Sequence, residues 1–219
     1  MEPLSLRPTP EIIADRVRSQ IVSGKFAPGE RLQDAKISQQ LGVSRGPVRE
    51  ALQRLVQEGL LINTLNRGVC VVDISVDDLL DVFTARRAVE REAFLIVFRS
   101  KPVALFEKLR KVIHSMEKAA ANDDWRAAAN HDIKFHTMIV EASGSPRLSR
   151  IYATLAAERH LCMSKEFAIF RDLNKLASMH QPLVEALEGD SQTTVVKVLD
   201  EHLRSGMELA QPGKQSLAS

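Results

Sequence analysis

Four residues of metal-ligating type, Asp132, His136, His180 and His202, interrupt otherwise apolar helical stripes. Asp132 and His136 are spaced i, i+4 and share a face with Trp125, Ala128, Phe135 and Ile139. His180 falls among Leu173, Leu176, Leu183, Val184 and Leu187, and His202 among Val195, Val198, Leu199 and Leu209. A single histidine on such a stripe is ordinarily a core side chain bonded to a backbone carbonyl. Four interruptions in one region make separate explanations uneconomical. An unpaired buried carboxylate is costly, whereas one Asp and three imidazoles around a divalent cation satisfy one another and suit Zn first, then Ni, Mn or a similar ion. His114, His131 and His160 share no consistent apolar stripe with these four and read as surface residues or as supports behind the ligands.

A second pattern concerns nucleic acid. Arg45 and Arg49 lie one turn apart on a segment opened by Ser44, beside an apolar face of Val48, Ala51, Leu52, Leu55 and Val56. Arginine at the start of a helix can enter the major groove and pair bidentately with guanine O6 and N7. An arginine pair on a helix flank is more commonly just solvated, so the surrounding pattern decides.

The elements that must carry these residues are mostly helical. Of 219 residues, 44% are hydrophobic and 26% charged, which suits a packed core and excludes a disordered chain. Aromatics are 5%, and 10 Gly and 9 Pro are too few turn-formers for a sandwich of many short strands. The longest apolar run, Ala93 to Phe98, is about six residues against the ~20 a membrane helix needs. The first ten residues have no signal-peptide pattern, so no membrane partner and a cytoplasmic location are expected. Cys70 and Cys162 are too few for a disulfide framework and read as small hydrophobes. The net charge of +2 comes entirely from residues 1–74.

Thr9-Pro10-Glu11 starts a helix whose stripe is Ile12, Ile13, Val17 and Ile21. A short helix follows around Asp34 to Gln40, then the one capped by Ser44. Leu60 to Asn63 and Val69 to Val72 read as two strands around a loop. This is the order of a winged helix-turn-helix. Ser75-Val-Asp-Asp has the form of a capping box and opens a region without strand signals. About six helices are expected there: Val76 to Arg99, Pro102 to Ala121, Asp124 to Ala142, Pro146 to Phe167, Leu173 to Leu187 and Ser191 to Ala210. Pro182, two residues after His180, either sits in a first turn capped by Ser178 or kinks its helix. The fold class is mainly α: a winged helix-turn-helix over residues 1–74 and an all-α helical bundle over residues 75–219.

The stretch Pro28-Gly-Glu-Arg-Leu, then Leu41-Gly-Val-Ser-Arg-Gly-Pro-Val-Arg-Glu-Ala-Leu, then Glu58-Gly-Leu and Arg67-Gly68 resembles the GntR family of bacterial regulators. The resemblance implies that Arg45 and Arg49 contact bases or phosphates, that Ser44 and Gly46 lie beside them, and that Arg67-Gly68 is the wing tip. Ala35 stands where many members carry Arg, which shifts that groove contact to Lys36 or removes it.

The second region resembles the helical FCD-type domain of the FadR branch. There an Asp-x3-His and two later histidines bind metal in many members, matching Asp132, His136, His180 and His202. Arg87-Ala-Val-Glu90 matches an R-x-x-E pattern whose Arg lines an effector pocket, so the resemblance makes Arg87 the holder of an effector carboxylate. Arg159, on the stripe Tyr152, Leu155, Arg159, Cys162, is a further pocket candidate. About six helices resemble the shorter, VanR-like subgroup. Ser145 departs from the pattern, where Asn often follows Ala-Ser-Gly.

The reading is a transcriptional regulator, in the commoner family manner a repressor relieved by ligand, and not an enzyme. A small excess of positive charge cannot grip DNA tightly by counterion release alone, so a homodimer on a palindromic operator is expected. Its helical domain would bind a divalent metal and a small carboxylate effector. One rival makes the metal itself the signal. Another, a metal-dependent hydrolase, lacks an evident general base; a third keeps the helical domain for dimerisation alone.

Overall fold

The computed structural model describes residues 9–22, 24–65, 67–73, 75–166 and 173–209. The chain divides into two compact units, residues 1–74 and 75–219.

In the first unit, α1 (Thr9–Val22), α2 (Asp34–Leu41) and α3 (Arg45–Gln57) precede a hairpin of β1 (Leu61–Thr64) and β2 (Gly68–Val71). Ile13, Ala14, Val17 and Ile21 form the buried stripe of α1, which packs on α3 and its buried Val48, Ala51, Leu52 and Leu55. Ile12, expected on that stripe, is 44% exposed. Gly42 ends α2 at φ 66°, a left-handed conformation that a side chain would strain. The strands are antiparallel, with Leu61 opposite Val71 and Thr64 opposite Gly68. The segment before α2 joins the sheet edge, with Leu32 N–H donating to Val69 O at 2.8 Å and Val71 N–H to Glu30 O at 2.9 Å. That edge ties the wing to the helix-turn-helix.

The second unit contains α4 (Val76–Ser100), α5 (Val103–Ala121), α6 (Trp125–Ala142), α7 (Pro146–Glu166), α8 (Leu173–Ser178), α9 (Gln181–Glu188) and α10 (Gln192–Leu209). The capping box at Ser75 forms as expected: its hydroxyl accepts from Asp78 N–H at 3.1 Å, and the Asp78 carboxylate accepts from Ser75 N–H at 2.8 Å. Phe94, Leu109, Met116, Phe135, Leu183 and Leu187 are fully buried. Each such side chain contributes about 1.5–3 kcal/mol by leaving water.

Seven helices stand among the described residues where six were expected, so the helix count does not support the shorter subgroup. The stretch read as one helix from Leu173 to Leu187 is broken, with His180 at the N-cap of α9. Pro182 sits in the first turn of α9, where its missing N–H costs nothing, and His180 rather than Ser178 holds the cap position. The helix ends expected at Phe167 and Ala210, and the break expected at Asp172, lie outside the described residues.

Lys101 ends α4 in the left-handed region at φ 45°. Its ammonium donates to the carbonyls of Leu187 at 3.0 Å and Glu188 at 3.1 Å, and to that of Gly189, closing the C-terminus of α9. Among the described residues, no helix is long and apolar enough to cross a membrane.

Candidate metal centre and nucleic-acid interface

The second unit brings three of the four predicted ligands, the histidines, within ligating distance of one another, while Asp132 lies against His180 and outside that mutual group. Asp132 and His136 project from the buried face of α6, His180 from the α8–α9 joint and His202 from α10, and all four are buried. One ring nitrogen from each of His136, His180 and His202 lies within 4.8 Å of the others. The rings pack closely, with His136–His202 centroids 5.0 Å apart and His180–His202 centroids 4.7 Å apart. Phe135 stands edge-on to His180 at 4.8 Å. It fills the apolar side of the cluster.

His180 Nδ1 donates to Leu176 O at 2.9 Å, and His202 Nδ1 to Met179 O at 3.3 Å. His136 Nδ1 lies 2.7 Å from Glu90 Oε2, a carboxylate contact that only a protonated nitrogen makes favourable, although it is off the N–H direction. Burial depresses the pKa of His136 against the opposing pull of Glu90. Burial and then His180 and His136 hold His202 well below the usual histidine range. Both rings are therefore neutral near pH 7, and a neutral ring protonated at Nδ1 carries a bare lone pair at Nε2.

Those lone pairs face one another. His136 Nε2 and His202 Nε2 are 3.1 Å apart. His180 Nε2 lies 3.1 Å from Asp132 Oδ1 and has no hydrogen-bond partner. Two nitrogens about 2.1 Å from a common ion would lie about 3–3.4 Å apart, so the spacing of the first pair suits ligation. The residues present fit a divalent cation: three imidazole donors, the Asp132 carboxylate adjacent through His180, and a carbonyl or carboxylate beside each Nδ1.

Behind the cluster lies a buried ionic layer. Arg86 Nε donates to Glu90 Oε1 at 2.7 Å, and both side chains are almost wholly buried. Burial alone would raise the Glu90 pKa, but Arg86 and His136 outweigh it and hold the carboxyl below its ordinary value. Burial likewise opposes ionisation of Asp132, and His180 overcomes it. Arg86 and Arg159 both stack on the Phe83 ring, with guanidinium carbons 5.5 and 5.1 Å from its centroid. Arg159 is 5% exposed.

Arg87 does not reach this layer. Its side chain is 57% exposed and forms a two-pronged pair with Asp200, each bond 2.8 Å. The arginine of α4 that faces inward is Arg86, which sequence reasoning passed over. The signal was present: Phe83, Arg86, Glu90, Ala93 and Val97 follow the helical repeat. His160, read as surface or support, is buried at 8% exposure. His114 is exposed.

In the first unit, Ser44, Arg45, Gly46 and Arg49 cluster at the start of α3 and are exposed. Ser44 occupies the N-cap position but makes no side-chain cap bond. Lys36 is exposed on α2, and Arg67 is exposed beside β2. Gly68 has φ +77°, and a Cβ there would lie 3.7 Å from Arg31 Nε. A groove of about 510 Å³ separates α2 and α3 from the wing, lined by Arg31, Asp34, Arg49, Gln53 and Gly68 among others. Arg49 Nε donates to Asp34 Oδ2 at 2.5 Å. Neither Arg31 nor Asp34 was singled out by sequence pattern, because both act across the turn between elements.

Residues 9–71 match the bacterial regulatory proteins of the gntR family, and residues 81–205 match the FCD domain. The chain is 28% identical over 207 residues to the probable D-xylose utilization operon transcriptional repressor of Paenarthrobacter nicotinovorans, covering 93% of this chain and 91% of that protein. It is 26% identical over 204 residues to the HTH-type transcriptional repressor GlaR of Escherichia coli (strain K12), covering 89% and 92%. Among solved structures, E. coli McbR/YncC superposes with a TM-score of 0.81 at 20% identity, covering 94% of this chain and 98% of that one, which shows a shared fold.

Proposed function

The chain belongs to the GntR family of bacterial regulatory proteins and carries an FCD domain, and on that premise we propose that it is a metal-dependent, carboxylate-responsive repressor. It is a DNA-binding transcriptional regulator and not an enzyme. Repression is inferred from relatives named as repressors. The observation that carries the metal reading is the facing Nε2 lone pairs of His136 and His202, with a His180 ring nitrogen within 4.8 Å of both, which a cation resolves.

Asp132, His136, His180 and His202 would hold the ion, Zn by donor type, with Ni and Mn as alternatives. The bound ion supplies positive charge for an anionic effector. Arg86, the inward arginine, takes the role the resemblance gave Arg87, and Arg159 is placed beside it through their shared contact with Phe83. Arg86 and Arg159 would supply donors for a small carboxylate.

An effector shifts DNA affinity only if it binds two conformations unequally. The ligand residues come from α6, the α8–α9 joint and α10, so ion and effector together would select one packing of these helices. A homodimer would then read a palindrome through Ser44, Arg45, Gly46, Arg49, Lys36, Arg67 and Gly68.

A thermal-shift screen of small carboxylates on metal-loaded and on chelator-treated protein tests this. A ligand at 100 times its dissociation constant should stabilise by about 2.7 kcal/mol, and only with metal present. Stabilisation by metal alone, with no carboxylate effective, would favour a regulator for which metal is the signal.

A further inference from the structure

Resting on the DNA-binding reading, we propose that Asp34 is a specificity residue: its carboxylate holds Arg49 by Nε and aims that arginine at a base edge instead of a phosphate. The contact spans fifteen residues, joining the first residue of α2 to the first turns of α3. Arg49 remains 69% exposed while Asp34 is 26% exposed, so the acid forms the base of the pair and the guanidinium its outer part.

A carboxylate is out of place here on charge grounds alone. The helices and wing of this unit expose Arg31, Lys36, Arg45 and Arg67, and an acid among them repels the phosphates they would attract. The hydrogen bond from Arg49, with a contribution from Arg45, keeps the Asp34 carboxyl below its ordinary pKa, so it is ionised. An exposed ion pair adds little to stability. Its effect must lie in direction.

A guanidinium has five donors in a rigid plane. With Nε engaged by Asp34, the two terminal nitrogens form the outward fork, which matches guanine O6 and N7. Freed from Asp34, the long side chain can swing to the backbone. Arg49 would then grip any sequence, raising non-specific affinity and adding a counterion-releasing contact.

The test selects duplexes from a random library with the full-length protein, comparing wild type, Asp34→Ser, Asp34→Glu, Arg49→Ala and the Asp34→Ser/Arg49→Ala double variant. Serine is well tolerated at helix starts, and circular dichroism confirms folding of each variant. Asp34→Ser is expected to lose preference at the same base positions as Arg49→Ala, while Asp34→Glu retains it.

On a scrambled duplex, Asp34→Ser should bind more tightly, with a salt dependence of log K steeper by about 0.9. In the Arg49→Ala background the carboxylate's own repulsion of phosphates is still lost, so a small gain in scrambled-duplex affinity is expected there, but no further loss of base preference and no steeper salt slope. Unaltered base preferences and salt slope in Asp34→Ser would overturn the proposal, as would changes in base preference or salt slope that persist without Arg49. A wild-type protein that selects no sequence would overturn the DNA-reading premise as well, which separates the two failures.

Discussion

Arg86 and Arg87 are consecutive in α4 yet end in opposite environments: Arg86 is 2% exposed and bonds Glu90, while Arg87 pairs with Asp200 at the surface. A helix turns about 100° per residue, so one of two adjacent arginines enters the bundle and the other is carried out of it.

Arg86→Ala leaves the Glu90 carboxylate buried without its strongest partner and should destabilise by about 3–5 kcal/mol. Arg87→Ala should leave the urea midpoint unchanged. Equal losses in the two variants would contradict the assignment.

Glu90→Gln keeps all four proposed ligands but weakens the grip on His136 Nδ1. Metal affinity should fall about 10–100-fold, read by competition with a chromophoric chelator. His180→Ala and His202→Ala should instead lower the bound-metal stoichiometry itself, measured by elemental analysis.

Burial and the neighbouring Arg159 push His160 down to about 4 from an ordinary value near 6.5. Above pH 6.5 it is neutral in both folded and unfolded chains and adds no pH dependence. As pH falls from 6.5 towards 4 the unfolded chain takes up a proton that the native state refuses, so stability declines, by up to about 3 kcal/mol. Urea titrations between pH 7 and 4.5 should show a shallower decline in His160→Gln.

Arg45→Ala should cost about 1–3 kcal/mol of binding to a selected operator and relax preference at one position. The helical circular dichroism should be unchanged, since the side chain is exposed.

The histidine cluster was legible because each of its residues breaks an apolar stripe, and such breaks survive without coordinates. The pair Arg86–Glu90 was harder to see. Arg87 and Arg91 beside them make α4 look charged all round, which hides the two charges on its inner face. The break at His180 was half legible: Pro182 marked a first turn, but the N-cap follows from how α8 packs on α5 and α6 while α9 packs on α10, α5 and α4. The Asp34–Arg49 contact left no trace in periodicity, because it links two helices across a turn.

The joint between α8 and α9 serves two histidines at once, since His180 offers its own ring while the carbonyl of the preceding Met179 orients His202. Opening this joint would therefore remove one donor from the ion and release the support of a second in a single event. Its amide exchange should thus be governed by metal occupancy: at an ion concentration 100 times the dissociation constant, opening routes that require ion release slow about a hundredfold. What a count of helices records as a defect is the place where, with the proposed ion bound, the bundle's slow breathing and its ion content would become one variable.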